Sequence, residues 1–361
     1  MTREGRPVLL LGLSALLLLG LIVRVESVPP LWWDEGWTLS VARNWAEAGH
    51  YGRLLNGESV PRGLEAGFPV TASVGLSFAL FGVGMHQARL VALAFTFASL
   101  LLLYLLAWRF YNRTIAIGAV VVLVSLAGHV DINPLIAGRQ VMGEIPSLCF
   151  LLAGYLAFLA ADTRPFVTMP LVAVFWSLAL FTKVQVQPFW AASMIATLAL
   201  MLLHRRWRSA ALIASGLAGS VLLFLAYDYY FAATVPSSSV TGLTRVIALA
   251  FSRYSRMAVM NETLQFGLPV LLGICWAAWN VLKEGCKTPS HVSIVRFSFL
   301  ALVASWLAWY LFLSPGWPRY LLPPVFLGSI FVGAMLYDWT AKFRLGATVE
   351  RAASVLRSLR F

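Results

Sequence analysis

Two adjacent carboxylates, Asp34 and Glu35, lie among three tryptophans shortly after the first apolar run of the chain. A carboxylate held close to hydrocarbon becomes more basic, because burial disfavours its charged form. Such a group suits a general base, which must accept a proton during a reaction. The alternative is an aromatic belt at a membrane interface that contains two solvated acids.

Isolated cations mark three further segments: Arg139, Lys183 and Arg319 each stand beside a long apolar run. The topology derived below puts all three outside, where the bias of membrane proteins towards cytoplasmic Lys and Arg does not explain them. Together they suggest an anionic ligand, and phosphate is the natural candidate. Glu144 and Arg139 bracket the entrance to one apolar run, and Tyr320 follows Arg319 directly. Interfacial anchoring and snorkelling are the alternative roles for these side chains.

The composition indicates that lipid is the solvent of this chain. Its 361 residues are 60% hydrophobic and 12% charged, and the mean hydropathy is +0.80. Soluble domains carry about a quarter charged residues, so this chain could not cover itself with polar surface in water. The apolar runs lack alternation of period two, which leaves membrane-spanning helices rather than a barrel. The net charge is +12, but basic residues in membrane proteins mainly set topology, so nucleic acid is not an expected partner.

The apolar runs predict an all-α, polytopic transmembrane bundle of about ten helices, since a span needs about 20 apolar residues. The predicted spans are 8–25, 87–108, 114–129, 145–161, 167–182, 186–203, 209–227, 264–282, 297–313 and 321–337. With the N-terminus inside, every inside segment carries Lys or Arg, as the positive-inside rule requires. The first outside loop, 26–85, then contains two segments predicted as interfacial helices, 41–48 and 70–84. Residues 1–340 are expected to form the transmembrane domain and 341–361 a basic cytoplasmic tail.

This topology gathers the chemically distinctive side chains on the outside face, and ionisable groups at membrane depth are costly and usually functional. His129 and Tyr320 are further candidates for substrate binding there, although a solvated turn is the alternative for His129. The three cysteines and five histidines show no zinc-type spacing, so no metal ligands are predicted. No cofactor is required, although the neighbouring carboxylates could hold a divalent cation.

The order of these motifs resembles the GT-C superfamily of polytopic glycosyltransferases. The similarity is greatest to the branch that contains protein O-mannosyltransferases and lipid A aminoarabinose transferases. The shared motifs run in order through most of residues 1–340: Asp34-Glu35, Phe81-Gly82, Arg89, Glu144-Ile145-Pro146, Thr182-Lys183 and Tyr320 to Pro324. One departure is Gly67-Phe68-Pro69, where the family often has Pro-Pro or Lys-Pro. The resemblance implies a sugar donor on polyprenyl or dolichyl phosphate, with Asp34 as the base that deprotonates the acceptor.

The expected activity is an inverting sugar transfer to a glycan, lipid or protein acceptor on the non-cytoplasmic side of a plasma or inner membrane. Lys183, Arg139 and Arg319 are expected to stabilise the leaving phosphate. Glu35 and Glu144 are expected to orient the acceptor or the base, or to hold a divalent ion. Two alternatives remain: a transporter for an amphiphilic anion, and a non-catalytic protein that binds a lipid phosphate within the surrounding membrane lipids. The spans lack the mid-span charges and paired broken helices typical of a transporter.

Overall fold

The chain folds as a bundle of helices with one small hairpin among the residues described, which are 23–126, 128–232, 250–284, 290–344 and 346 of a computed structural model. The predicted all-α class is therefore confirmed. The elements in chain order are α1 (Trp33–Ala48), β1 (Arg53–Leu55), β2 (Glu58–Val60), α2 (Phe68–Phe81), α3 (Met85–Phe110), α4 (Arg113–Leu126), α5 (Pro134–Ala137), α6 (Glu144–Ala160), α7 (Pro165–Thr182), α8 (Val186–Leu203), α9 (Trp207–Ala232), α10 (Arg253–Glu262), a π-helical turn (Thr263–Gly267), α11 (Leu268–Glu284), α12 (His291–Leu313), a 3₁₀ turn (Pro318–Tyr320) and α13 (Leu322–Trp339).

Seven of the described helical stretches are long and apolar enough to cross a membrane, and two predicted spans form shorter helices. The seven are α3, α7, α8, α9, the continuous stretch Arg253–Val281, α12 and α13. α4 and α6, at the predicted spans 114–129 and 145–161, are shorter but also apolar. Nine of the ten predicted spans thus coincide with a helix. The first, 8–25, lies almost entirely outside the described residues.

The segment predicted as an outside loop, 228–263, contains more helix than expected. α9 continues to Ala232, and α10 begins after Ser252, whose hydroxyl accepts a hydrogen bond from the Ser255 N–H at 3.1 Å. Such a side-chain cap replaces a missing intrahelical partner and favours helix initiation. The π-helical turn then joins α10 to α11 without a break. The described residues 228–232 and 253–263, predicted as loop, therefore belong to helices.

The segment predicted as the first outside loop contains two short helices, at the two stretches predicted to be interfacial. α1 includes 41–48 and ends at Gly49, whose φ of 66° is the left-handed conformation that closes many helices. α2 includes most of 70–84. The Thr38 hydroxyl accepts a hydrogen bond from the Ala66 N–H at 3.0 Å and so ties α1 to the residues before α2. This contact fixes the direction in which α1 presents its first turn.

The centre of the bundle is α13, in which every residue from Leu322 to Met335 is buried. A helix that is apolar on all sides is stable only when other helices surround it. α13 lies against α4 and α11. A Cβ atom at Gly333 would lie 2.9 Å from the backbone nitrogen of Ala119 in α4. Glycine therefore permits this close helix packing, as is common between membrane helices.

Antiparallel packing brings several helix ends to the same side of the bundle. α6 begins at Glu144, and its neighbour α7 ends at Thr182. α13 begins immediately after the 3₁₀ turn that carries Arg319. The first turn of α1, with Asp34, meets these ends through contacts described below. Four of the sequence-predicted residues thereby approach one another from four separate elements.

Candidate active site

The buried Asp34 and the half-buried Arg319 form an ion pair across 285 residues of sequence. Asp34 lies in the first turn of α1, where a carboxylate also interacts favourably with the helix dipole. Arg319 Nη1 donates to Asp34 Oδ2 at 2.6 Å. The guanidinium lies 5.1 Å from the ring centroid of Trp317 and 5.5 Å from that of Tyr320. Within the described ranges no hydrogen bond reaches Asp34 Oδ1, so this oxygen can accept one from a substrate.

The half-buried Lys183 and the buried Glu144 form a second ion pair beside the first. Lys183 follows the last residue of α7, Glu144 begins α6, and Lys183 Nζ lies 2.9 Å from Glu144 Oε1. Burial alone would lower the pKa of the Arg319 guanidinium, but the carboxylates of Glu144 and Asp34 outweigh burial and raise that pKa. Arg319 is therefore permanently charged. The two cations and two carboxylates form one electrostatic cluster.

Two glycines allow the backbone around Lys183 to pack closely. The Gly67 N–H donates to the Thr182 carbonyl oxygen at 3.1 Å. A Cβ atom at Gly67 would lie only 2.0 Å from the Phe181 carbonyl oxygen, which no side chain could tolerate without a backbone shift. A Cβ atom at Gly143 would lie 3.0 Å from Lys183 Cδ. Close packing between these loops therefore fixes where the Lys183 ammonium group points.

A cavity of about 330 Å³ opens beside the cluster, a size typical of small-ligand sites. Asp34, Lys183, Arg319 and Tyr320, all predicted from the sequence, line it. The other lining residues come from the middle of α1, the segment 51–68, the end of α7 and the α7–α8 connection: Val41, Tyr51, Gly52, Arg62, Gly63, Leu64, Glu65, Ala66, Gly67, Phe68, Phe181, Thr182, Val184 and Gln185. Glu144 and Arg319 also line a much smaller neighbouring cavity of about 30 Å³. Arg319 therefore belongs to both spaces.

Arg62 and Tyr51 are cavity residues that the sequence prediction missed. Arg62 Nη1 lies 3.9 Å from Asp228 Oδ1, and Nη2 is buried without a hydrogen-bond partner among the described residues. Burial raises the pKa of Tyr51 to about 12, so its hydroxyl, 2.9 Å from Thr71 Oγ1, stays neutral at physiological pH. The sequence feature that could have identified Arg62 is its positive charge in a segment predicted to lie outside, where the positive-inside rule does not explain it.

Glu35 is fully buried and holds Arg89 in a bidentate ion pair. Arg89 Nε and Nη2 donate to the two Glu35 oxygens at 2.8 and 2.7 Å. The Val141 N–H donates to Glu35 Oε1 at 3.0 Å. Arg89 Nη1 also donates to the carbonyl oxygens of Val25 and Pro29, at 2.8 and 2.7 Å. Because both Glu35 oxygens are occupied, the geometry favours the orienting role for this residue.

Neither Arg139 nor His129 lines the larger cavity. Arg139 Nη1 donates to the Val28 carbonyl oxygen at 3.3 Å, in the segment that leads into α1. His129 is partly exposed, and its Nδ1 lies 3.9 Å from Asp131 Oδ2. Asp131 lines the smaller cavity beside Glu144. Among the described residues, no three His, Cys, Asp or Glu side chains converge as ligands for a metal ion.

Comparison with known proteins finds likeness in structure alone. No family model and no curated protein matches the sequence. Among solved structures, the chain is similar to ArnT from Cupriavidus metallidurans bound to undecaprenyl phosphate, with a TM-score of 0.68 and 16% identity over 99% of this chain and 65% of that one. The apo state of the same protein gives a TM-score of 0.64 and 16% identity over 98% and 64%. The chain thus spans slightly less than two thirds of the length of the structures it matches.

Proposed function

We propose that this chain, which has the GT-C fold, is a membrane glycosyltransferase whose donor is a sugar on polyprenyl or dolichyl phosphate. One observation carries the proposal: two ion pairs, Lys183–Glu144 and Arg319–Asp34, each with a buried carboxylate and a half-buried cation, meet at a cavity of about 330 Å³. Taking these carboxylates out of water is costly, and the position of the two pairs beside a cavity favours a functional role. The solved structure with similar fold holds undecaprenyl phosphate.

The donor phosphate would bind between Lys183 and Arg319. Each cation contacts a carboxylate, and a phosphate oxygen can replace that carboxylate as a charged hydrogen-bond partner. Exchange at Arg319 would release Asp34 from its ion pair. Donor binding and preparation of the base are then the same event. Glu144 would remain beside Lys183 and orient its ammonium group.

The transfer step uses the released carboxylate and the two cations. Asp34 accepts the proton of the acceptor hydroxyl while the acceptor oxygen attacks the anomeric carbon. The bond between that carbon and the phosphate oxygen breaks, and the phosphate leaves with the electron pair. Lys183 and Arg319 stabilise its developing charge. Attack opposite the leaving group inverts the anomeric configuration, and base catalysis of this kind contributes about 10²–10⁴-fold.

The remaining cavity wall suits a sugar and part of the acceptor. Phe68 and Phe181 supply flat apolar faces, and the neutral Tyr51 hydroxyl can exchange hydrogen bonds with sugar hydroxyls. Arg62 adds a cation on the wall formed by the segment 61–67 and contacts the end of α9. We assign it to substrate binding alongside Tyr320. Arg139 and His129 would act outside this cavity, through the segment before α1 and the smaller cavity.

The test is the Asp34→Asn variant, because asparagine keeps the shape of the side chain but cannot accept the proton. Membrane vesicles that contain native acceptors receive a labelled sugar on polyprenyl phosphate, and release of free lipid phosphate is measured with donor affinity alongside. We expect turnover to fall about 10²-fold or more while donor binding persists. Glu47→Gln, an exposed charge change on the same helix, is the control.

Three other outcomes would contradict the proposed function or the role of Asp34. Near-normal turnover in Asp34→Asn would exclude this residue as the base. Movement of intact donor across the vesicle membrane, without release of lipid phosphate, would identify a transporter instead. If the wild-type protein binds the donor but neither cleaves it nor moves it across the membrane, the protein is a non-catalytic lipid-phosphate-binding protein.

A further inference from the structure

The connection between α12 and α13, residues 314–321, carries Arg319 and lies against α10. Gly316 is a point of close contact: a Cβ atom there would lie 2.9 Å from the Ser255 carbonyl oxygen and 3.0 Å from Ala258 Cβ. The φ of Gly316 is 83°, in the left-handed region that glycine adopts without strain. A residue with a side chain could therefore not bring the connection this close to α10.

Arg256 of α10 binds the C-terminal end of α12. Its Nη1 donates to the Leu311 carbonyl oxygen at 2.9 Å, and its Nη2 donates to the Ser314 carbonyl oxygen. The Leu311 carbonyl would ordinarily accept from the N–H four residues later, but that residue is Pro315, which has none. The last carbonyl groups of a helix need partners from outside it, and a cation is favourable near them. Arg256 thus supplies the hydrogen bond that Pro315 cannot.

The contact made by Arg256 lies close in sequence to the proposed active site. Ser314, which is completely buried, begins the connection, and its hydroxyl accepts a hydrogen bond from the Gly316 N–H at 3.1 Å. The 3₁₀ turn starts two residues later with a proline, whose ring fixes one backbone dihedral. Arg319 is the middle residue of this turn, and its guanidinium donates to Asp34. Holding Ser314 therefore restricts where the Arg319 backbone can lie.

We infer that Arg256 is a positioning residue, which holds the connection 314–321 so that the Arg319 guanidinium lies between Asp34 and the donor phosphate. The inference rests on the proposed function for the identity of that phosphate. Arg256 lines neither cavity of the proposed site, so it acts on a substrate through the connection and not by contact. Its guanidinium suits this role, because a planar fork of donors can bind two carbonyl oxygens in one fixed geometry.

The first experiment needs no substrate: hydrogen–deuterium exchange of the full chain in detergent, measured by mass spectrometry. In Arg256→Met, the amides of the connection should exchange about tenfold faster than in the wild type, since charge-assisted hydrogen bonds contribute at that level. Exchange in α6 should stay unchanged. Arg256→Lys should give an intermediate rate, because its single ammonium group reaches one carbonyl oxygen. Arg253→Met is the control: it removes the same charge from an exposed position on the same helix.

The second experiment asks whether Arg256 acts through Arg319. Donor affinity and turnover are measured in Arg256→Met, Arg319→Gln and the double variant, at a temperature where all of them are folded. Arg256→Met should lower turnover by about tenfold to 10²-fold, the effect of displacing a group at the reacting centre by about 1 Å. The double variant should match Arg319→Gln, because two changes that act through one group do not add. Arg253→Met should behave as the wild type.

Three results would overturn the inference. The first is unchanged exchange of the connection in Arg256→Met. The second is faster exchange there with donor affinity and turnover intact. The third is a double variant in which the two losses multiply, which would show a general effect on structure. A wild-type protein that binds no donor would contradict the proposed function, and the exchange rates would still decide whether Arg256 holds the connection.

Discussion

The Glu35→Gln variant tests whether Glu35 supports the site by pairing with Arg89. If it does, the substitution should lower the stability of the protein rather than remove a group that takes part in the reaction. Glu35 and Arg89 are completely buried and joined by two hydrogen bonds of 2.7 and 2.8 Å. Glutamine has nearly the same shape but carries no charge and presents an amide N–H₂ group where one oxygen stood. The Arg89 guanidinium then keeps its full charge in the protein interior without a carboxylate partner.

The magnitude follows from the burial of Arg89. Removing one partner from a buried ion pair costs about 3–5 kcal/mol, because the other charge remains desolvated and uncompensated. Carbonyl oxygens at Val25 and Pro29 still accept from Arg89 Nη1, which favours the lower end of that interval. Proteins have a total stability of about 5–15 kcal/mol, so the loss is a large fraction of it. The segment before α1 should loosen first.

The assay is thermal unfolding of purified protein in detergent, followed by tryptophan fluorescence. Glu47→Gln is the matched control: it removes the same charge from the same helix, but its partner Arg43 at 2.8 Å is largely exposed. Exposed pairs contribute about 0–1 kcal/mol, so its melting temperature should hardly move. The double variant Glu35→Gln/Arg89→Met should regain stability relative to Glu35→Gln, because no buried charge is left alone.

Two results would refute this reasoning. One is a Glu35→Gln protein that melts with the wild type yet loses turnover, which would make Glu35 a direct participant in the reaction. The other is a double variant less stable than Glu35→Gln, which would show that the cost does not arise from the uncompensated Arg89 charge.

Three further predictions concern the phosphate site, its packing and the topology. Lys183→Ala should weaken donor binding about tenfold or more, because charge-assisted contacts contribute roughly 1.5–3 kcal/mol; unchanged affinity for the lipid phosphate in a folded variant would contradict the assignment. Gly67→Ala, whose Cβ would lie 2.0 Å from a carbonyl oxygen, should reduce both melting temperature and donor affinity. Gly36→Ala, which meets nothing within 4 Å, should retain both, and equal behaviour of the two glycine variants would refute the packing argument. A cysteine at Ser59 should be labelled from outside and one at Ser290 only from inside, in an otherwise cysteine-free protein, and the reverse pattern would invert the topology.

The sequence alone located nine spans that coincide with described helices, and it predicted that the proposed site lies at one membrane face. Hydrocarbon requires long apolar helices, and such runs are visible without any tertiary information. The bias of Lys and Arg then ordered the loops, so that Asp34, Glu144, Lys183 and Arg319 were expected on one face. The structure brings these four residues together at helix ends on one side of the bundle. Their catalytic and binding roles remain predictions.

Pairing within the site was decided only by the tertiary structure. The sequence does not reveal that Arg319 contacts Asp34, 285 residues earlier in the chain. Nor does it reveal that Arg89 forms its ion pair with Glu35, 54 residues earlier. Two adjacent acids look alike in a sequence, but successive residues on a helix point about 100° apart, so they meet different neighbours. One therefore faces the cavity and the other the protein interior.

Which residues line the cavity was also decided by the tertiary structure. Arg62 reaches the site because the loop before α2 packs against the end of α7, where Gly67 contacts Thr182. That approach depends on the absence of a side chain at one position and on the packing of distant helices. The apolar runs and the distribution of Lys and Arg indicate which segments lie in lipid and which lie in water. Which side chains meet one another depends on helix packing and rotation, and those are set by contacts between segments far apart in the chain.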